Sequence, residues 1–128
     1  MSGFTIKNLK ELEDSATGRA EGIEARFGRS KLDFEHLGVS LFRFGPGVRA
    51  PFGHSHGEQE EAYIVLSGTG RIKLGDEIHE LREWDVVRVA PDVIRAIEGG
   101  ADGIEFLAIG SDRPEGGDGV IAKDWWVD

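Results

Sequence analysis

The chain has no cysteine, one methionine, one tyrosine and four prolines in 128 residues. Without cysteine, neither a disulfide nor a thiolate metal site can form. No apolar run approaches the roughly 18 residues that a membrane-spanning helix needs, so no membrane partner is expected. The opening stretch, MSGFTIKNLKELEDS, lacks the apolar block of a signal peptide, and a cytoplasmic location is expected. Basic residues are also scarce: 15 stand against 24 acidic ones, a net charge of −9. Nucleic acid and anionic membrane surfaces are held through basic patches, so this balance argues against both as partners.

What is plentiful is glycine, at 19 residues. The glycines punctuate short β-prone runs, which predicts an all-β domain rich in tight turns. The length suits one domain with one core. Alternation predicts strands over 4–9, 22–27 and 38–44. Further strands are expected over 62–66, 71–74, 78–81, 85–89, 94–97 and 104–109. Lys10 to Gly18 and Arg29 to Leu37 are expected to be loop, the latter with room for one helical turn. The spacing of the strands and the absence of a long helical period fit a sandwich or barrel. Residues 111–128 are expected to form an extended arm that packs Trp125 and Trp126 onto something.

The stretch with chemistry is His54 to Gly68, HSHGEQEEAYIVLSG. Residues i and i+2 of a strand share a face, so His54 and His56 can present both imidazoles to one point. A turn through Gly57–Glu60 can return Glu61 beside them. Two imidazoles and a carboxylate suit zinc, iron, manganese, nickel or copper. The competing reading is a pair of exposed histidines in a polar loop.

This stretch resembles the first motif of the cupin superfamily, a glycine, HxH, three or four residues, Glu, six residues and Gly. Here His54-Ser55-His56 is followed by four residues, Glu61, six residues and Gly68, although Gly47 lies one residue too far upstream. The same register selects Glu61 over Glu58 and Glu60 as the ligand. Residues 80–100, ELREWDVVRVAPDVIRAIEGG, are similar to the second motif, with Trp84 in place of its glycine and Arg95 in place of its histidine. The resemblance covers residues 38–110. It implies a double-stranded β-helix, or jelly-roll, barrel in a single domain, with residues 1–37 and 111–128 packed on that core.

The implied metal ligands are therefore His54, His56 and Glu61. A guanidinium is not a metal ligand and would repel a divalent ion. Arg95 is expected instead to enter the cavity and meet a carboxylate, either of Glu61 or Glu98 or of an anionic ligand. Tyr63 shares parity with Glu61 and can line the cavity as a donor. His79 shares parity with Leu81, which the family places inward, and can supply a third imidazole. No organic cofactor is expected. Three functions stay open: a metal-dependent cupin enzyme (oxygenase, isomerase or decarboxylase), a metal-free binder of a small anion, and a structural barrel with a filled cavity. A homodimer is expected because Ala62–Leu66 is apolar on both faces, with Trp125 and Trp126 contributing to the contact.

Overall fold

The computed structural model describes residues 3–16 and 20–127. The ends of the loop expected over Lys10–Gly18 and of the arm expected over Ser111–Asp128 fall outside those residues. Eight strands form one strongly curled antiparallel sheet: β1 (Ile23–Phe27), β2 (Gly38–Phe44), β3 (Phe52–His56), β4 (Glu61–Leu74), β5 (Glu77–Leu81), β6 (Val86–Val89), β7 (Arg95–Gly110) and β8 (Gly119–Lys123). The fold is an all-β jelly-roll barrel.

Two strands are longer than the sequence suggests. The runs expected over 62–66 and 71–74 join into the 14 residues of β4, and those over 94–97 and 104–109 into the 16 residues of β7. The glycines between them bend the chain without reversing it. Register shifts fall between Val65 and Ser67 and between Gly68 and Gly70. Gly68 has φ +77°, and a Cβ there would lie 2.1 Å from the Gly103 carbonyl oxygen. Only glycine permits that backbone approach at that dihedral, so the two long strands curl together there.

The alternation expected over residues 4–9 does not become a strand. Phe4 and Ile6 are 73% and 86% exposed, and a 3-10 turn capped by Asn8 begins at Leu9 and runs to Glu11. Alternation specifies a strand only where a neighbouring strand accepts the pairing.

The core alternates along the inner face. Tyr63, Val65 and Ile72 of β4 meet Ile97, Ile104, Phe106 and Ala108 of β7, with Phe44, Leu81 and Val89 completing it. Phe106 is the centre, stacked on Phe42 at 5.3 Å and edge-on to Phe44 at 5.5 Å and Tyr63 at 5.9 Å. This packing fills the barrel.

The C-terminal arm packs back on the barrel. β8 pairs with β3 from Phe52 opposite Lys123 to His56 opposite Gly119. Trp126 is 8% exposed and lies under Arg49, whose guanidinium carbon is 4.4 Å from the ring centroid, with that of Arg71 at 5.4 Å. Trp125 sits 4.5 Å from the Lys73 ammonium and covers Gly53. Trp126 is buried against its own barrel and Trp125 is half-buried on it. No helix among the described residues is long and apolar enough to cross a membrane.

Candidate metal centre

β3 presents His54 and His56 on one face, and Glu61 opens β4 after the turn through Gly57–Glu60. One ligand atom from each of the three lies within 4.8 Å of the others. Glu61 Oε1 is 3.4 Å from His54 Nε2 and 3.2 Å from His56 Nε2. Glu58 is solvent-exposed and Glu60 turns outward to Arg88.

Two more groups reach the same oxygen. The Tyr63 hydroxyl donates to Glu61 Oε1 at 2.9 Å, and Arg95 Nη2 stands 3.3 Å from it. Arg95 begins β7 opposite His54 and is 1% exposed. Its Nη1 donates to the Val93 carbonyl at 2.7 Å and the Pro91 carbonyl at 3.2 Å, with the His54 carbonyl at 3.5 Å. Nη2 is close enough to Glu61 for charge attraction but is not aligned to donate, so Nη2 and Nε are both buried without a hydrogen-bond partner. A buried donor in that state is costly, and it marks a place short of an acceptor.

Electrostatics follow from this crowding. Burial pushes the Glu61 carboxyl up, but the bonds from His54 and Tyr63 and the charges of the two imidazoles outweigh it and hold the carboxyl at about 2. Burial, then the Glu61 charge, pushes the Tyr63 hydroxyl up, so it stays protonated and remains a donor.

Asp118 is the residue that the sequence reading passed over. Its Oδ1 is 2.9 Å from His56 Nδ1, while Oδ2 accepts from the Glu58 amide at 2.7 Å and the Gln59 amide at 2.9 Å. Burial raises its carboxyl, yet the two amide bonds and the His56 bond hold it at about 2. Its signal in the sequence is faint, a single acid among the glycines of Gly116-Gly117-Asp118-Gly119.

His79 does not join the cluster. It lies on β5, an edge strand paired with β4 alone, and its side chain is 55% exposed beside Glu77 at 3.1 Å. Only Leu81, at the other end of β5, is covered. Parity places His79 on the inward side, but the edge strand overhangs the core there. Trp84 is also exposed, at 72%, and its φ of +71° occupies the left-handed region where the family motif has glycine. Two grooves lie away from the cluster: one of about 770 Å³ is lined by Asp14, Arg43 and Glu105, and one of about 610 Å³ by Arg71, Arg82 and Glu98. Access to the cluster is past His54, whose side chain is 32% exposed against 12% for His56.

A curled jelly-roll with two histidines and a glutamate at its polar end is a barrel of cupin type, and solved structures agree. A cupin protein from Bacteroides fragilis matches with a TM-score of 0.72 and 26% identity, over 100% of this chain and 91% of that one. Oxalate decarboxylase from Bacillus subtilis matches at 0.80 and 22% identity, over 98% of this chain but 33% of that one. KdgF from Halomonas sp. matches at 0.70 and 15% identity, over 90% and 98%. The last two likenesses are of fold, and the chain spans about a third of the length of the decarboxylase. No family model matches the sequence, and no curated protein does. These likenesses show a barrel of cupin type and support a place in the cupin superfamily.

Proposed function

We propose that this barrel binds a divalent transition metal through His54, His56 and Glu61 and takes a small anionic molecule beside it. The observation that carries this reading is the convergence of two imidazole nitrogens and a carboxylate oxygen within 4.8 Å. The donor set fits an ion. The bond from His56 Nδ1 to Asp118 leaves Nε2 of a neutral ring with its lone pair toward Glu61 Oε1. Two lone-pair groups face to face repel each other unless a cation lies between them or the ring is charged. Zinc, iron, manganese and nickel all accept this set.

Arg95 supports the anionic partner. Its unsatisfied Nε and Nη2 can grip a carboxylate or phosphate with two parallel bonds. Tyr63 holds Glu61 in place. A bound metal would polarise a carbonyl or carboxyl oxygen of the small molecule. The proposed setting is a cytoplasmic homodimer without nucleic acid or membrane partners, supported by the net charge of −9 and by apolar residues still exposed, including Ile6, Trp84 and Val86.

One observation favours a second reading. Arg95 Nη2 sits 3.3 Å from Glu61, so the guanidinium competes with metal for that carboxylate. In that case the barrel is metal-free and holds its anion through Arg95 alone. Elemental analysis of untagged protein, followed by titration with zinc, iron(II), manganese and nickel, decides between them. Stoichiometric metal supports the first reading; no uptake at micromolar concentration defeats it.

A further inference from the structure

β3 carries both histidines but is weakly tied to the long strands of the barrel. It meets β7 at one position, His54 opposite Arg95, whereas β8 pairs along its whole length. The strand that secures the histidines is therefore the C-terminal one. β8 is itself fastened beyond Lys123, where Arg49 Nη1 donates to the Trp126 carbonyl at 3.0 Å and lies over its ring.

At the start of β8, one carboxylate serves two elements at once. Asp118 Oδ1 takes the Nδ1 proton of His56, which turns the ring so that Nε2 faces the Glu61 oxygen. Oδ2 takes the amides of Glu58 and Gln59, in the turn that delivers Glu61 to the cluster. The Asp118 side chain is only 6% exposed, so water competes poorly for these bonds. A carboxylate behind a ligating imidazole fixes the tautomer and ring orientation and raises the basicity of the other nitrogen.

We propose that Asp118 is a positioning residue: it sets the ring of His56 and the turn into Glu61, so that metal affinity depends on a strand that contributes no ligand. This rests on the metal reading above, and the test is built so that the two can fail separately.

The test pairs zinc titration by calorimetry with nitrogen-15 NMR of the His56 ring and amide exchange at Glu58 and Gln59 in metal-free protein. Asp118→Ala should weaken zinc binding by roughly 10- to 100-fold, shift the ring proton away from Nδ1 and speed exchange at both amides. Asp118→Asn, which keeps an acceptor oxygen without the charge, should recover part of each effect and serves if the alanine variant fails to fold. Glu115→Ala, an exposed acid of the same segment, should change none of them. If Asp118→Ala binds zinc as the wild type does, or its His56 ring signals and Glu58 and Gln59 exchange are unchanged, the proposal is overturned. If the wild type itself takes no zinc, the metal reading falls, while the ring and amide measurements still decide what Asp118 holds.

Discussion

Two carboxylates each organise a polar cluster of this barrel, and they do so differently. Glu98 divides its oxygens: Oε2 accepts from Arg49 Nε at 2.7 Å, and Oε1 accepts from Arg71 Nε at 3.0 Å and Nη2 at 2.7 Å. Glu61 gathers His54, His56, Tyr63 and Arg95 around one oxygen. Burial does not separate them, since the side chains are 16% and 11% exposed. Saturation does. Both oxygens of Glu98 accept aligned guanidinium donors, and the two arginines also lie over Trp126, so that site has a finished structural task. Around Glu61 an arginine is left with two idle donors and the imidazole nitrogens face an acceptor. An unfinished polar cluster in an otherwise well-packed barrel is where a ligand belongs.

The contrast can be broken most forcefully by exchanging the lesions. Glu61→Gln should abolish zinc uptake, whereas Glu98→Gln should leave the zinc dissociation constant within about twofold of the wild type. The two are compared by calorimetry under one condition. Equal losses in both would show that the distinction is false.

Acid sharpens it next. The Glu61 carboxyl lies at about 2 in the folded protein against an ordinary 4.5. A depressed value contributes stability that is fully present above the ordinary value and is lost as pH falls toward the folded one. The shift corresponds to about 3 kcal/mol. Denaturant midpoints from about pH 6 to about pH 2.5 should therefore fall, and Glu61→Gln should flatten much of that slope.

A smaller effect is expected at Glu98. Glu98→Gln removes the carboxylate charge that Arg49 and Arg71 share, but Arg71 is 38% exposed and water partly replaces the loss. About 1–2 kcal/mol of stability should go, read as a lower unfolding midpoint. Finally, Arg95→His removes a cation and adds an imidazole beside the cluster. Zinc affinity should rise by about tenfold, and Glu61→Gln in that background should cancel the gain if Glu61 is a ligand.

Legibility in the sequence follows distance along the chain. His54, His56 and Glu61 lie within one short stretch, so strand parity and one turn are enough to bring them together. Arg95 is placed beside them by the resemblance of residues 80–100 to the second cupin motif, and in the structure it opens β7 opposite His54. The barrel is readable from spaced runs and glycines, but its two long strands each read as two. Gly68 and Gly103 look like chain reversals in sequence and act as bends, because what distinguishes them is a close backbone approach between strands. His79 is misplaced for a related reason: parity gives a face, but only the neighbouring strands determine whether that face is covered. Asp118 lies 62 residues from His56, in a segment with no period, and nothing local marks its partner.

The pairing of β3 with β8 has a consequence for synthesis. β4 and β7, with β2 beside β7, can zip together once Gly110 has left the ribosome. The strand carrying His54 and His56 emerges long before, yet waits for Gly119–Lys123 to be held along its length. The two imidazoles thus lack their full pairing until β8 is made, and a nascent chain stalled before Asp118 would present them on a strand held at one position.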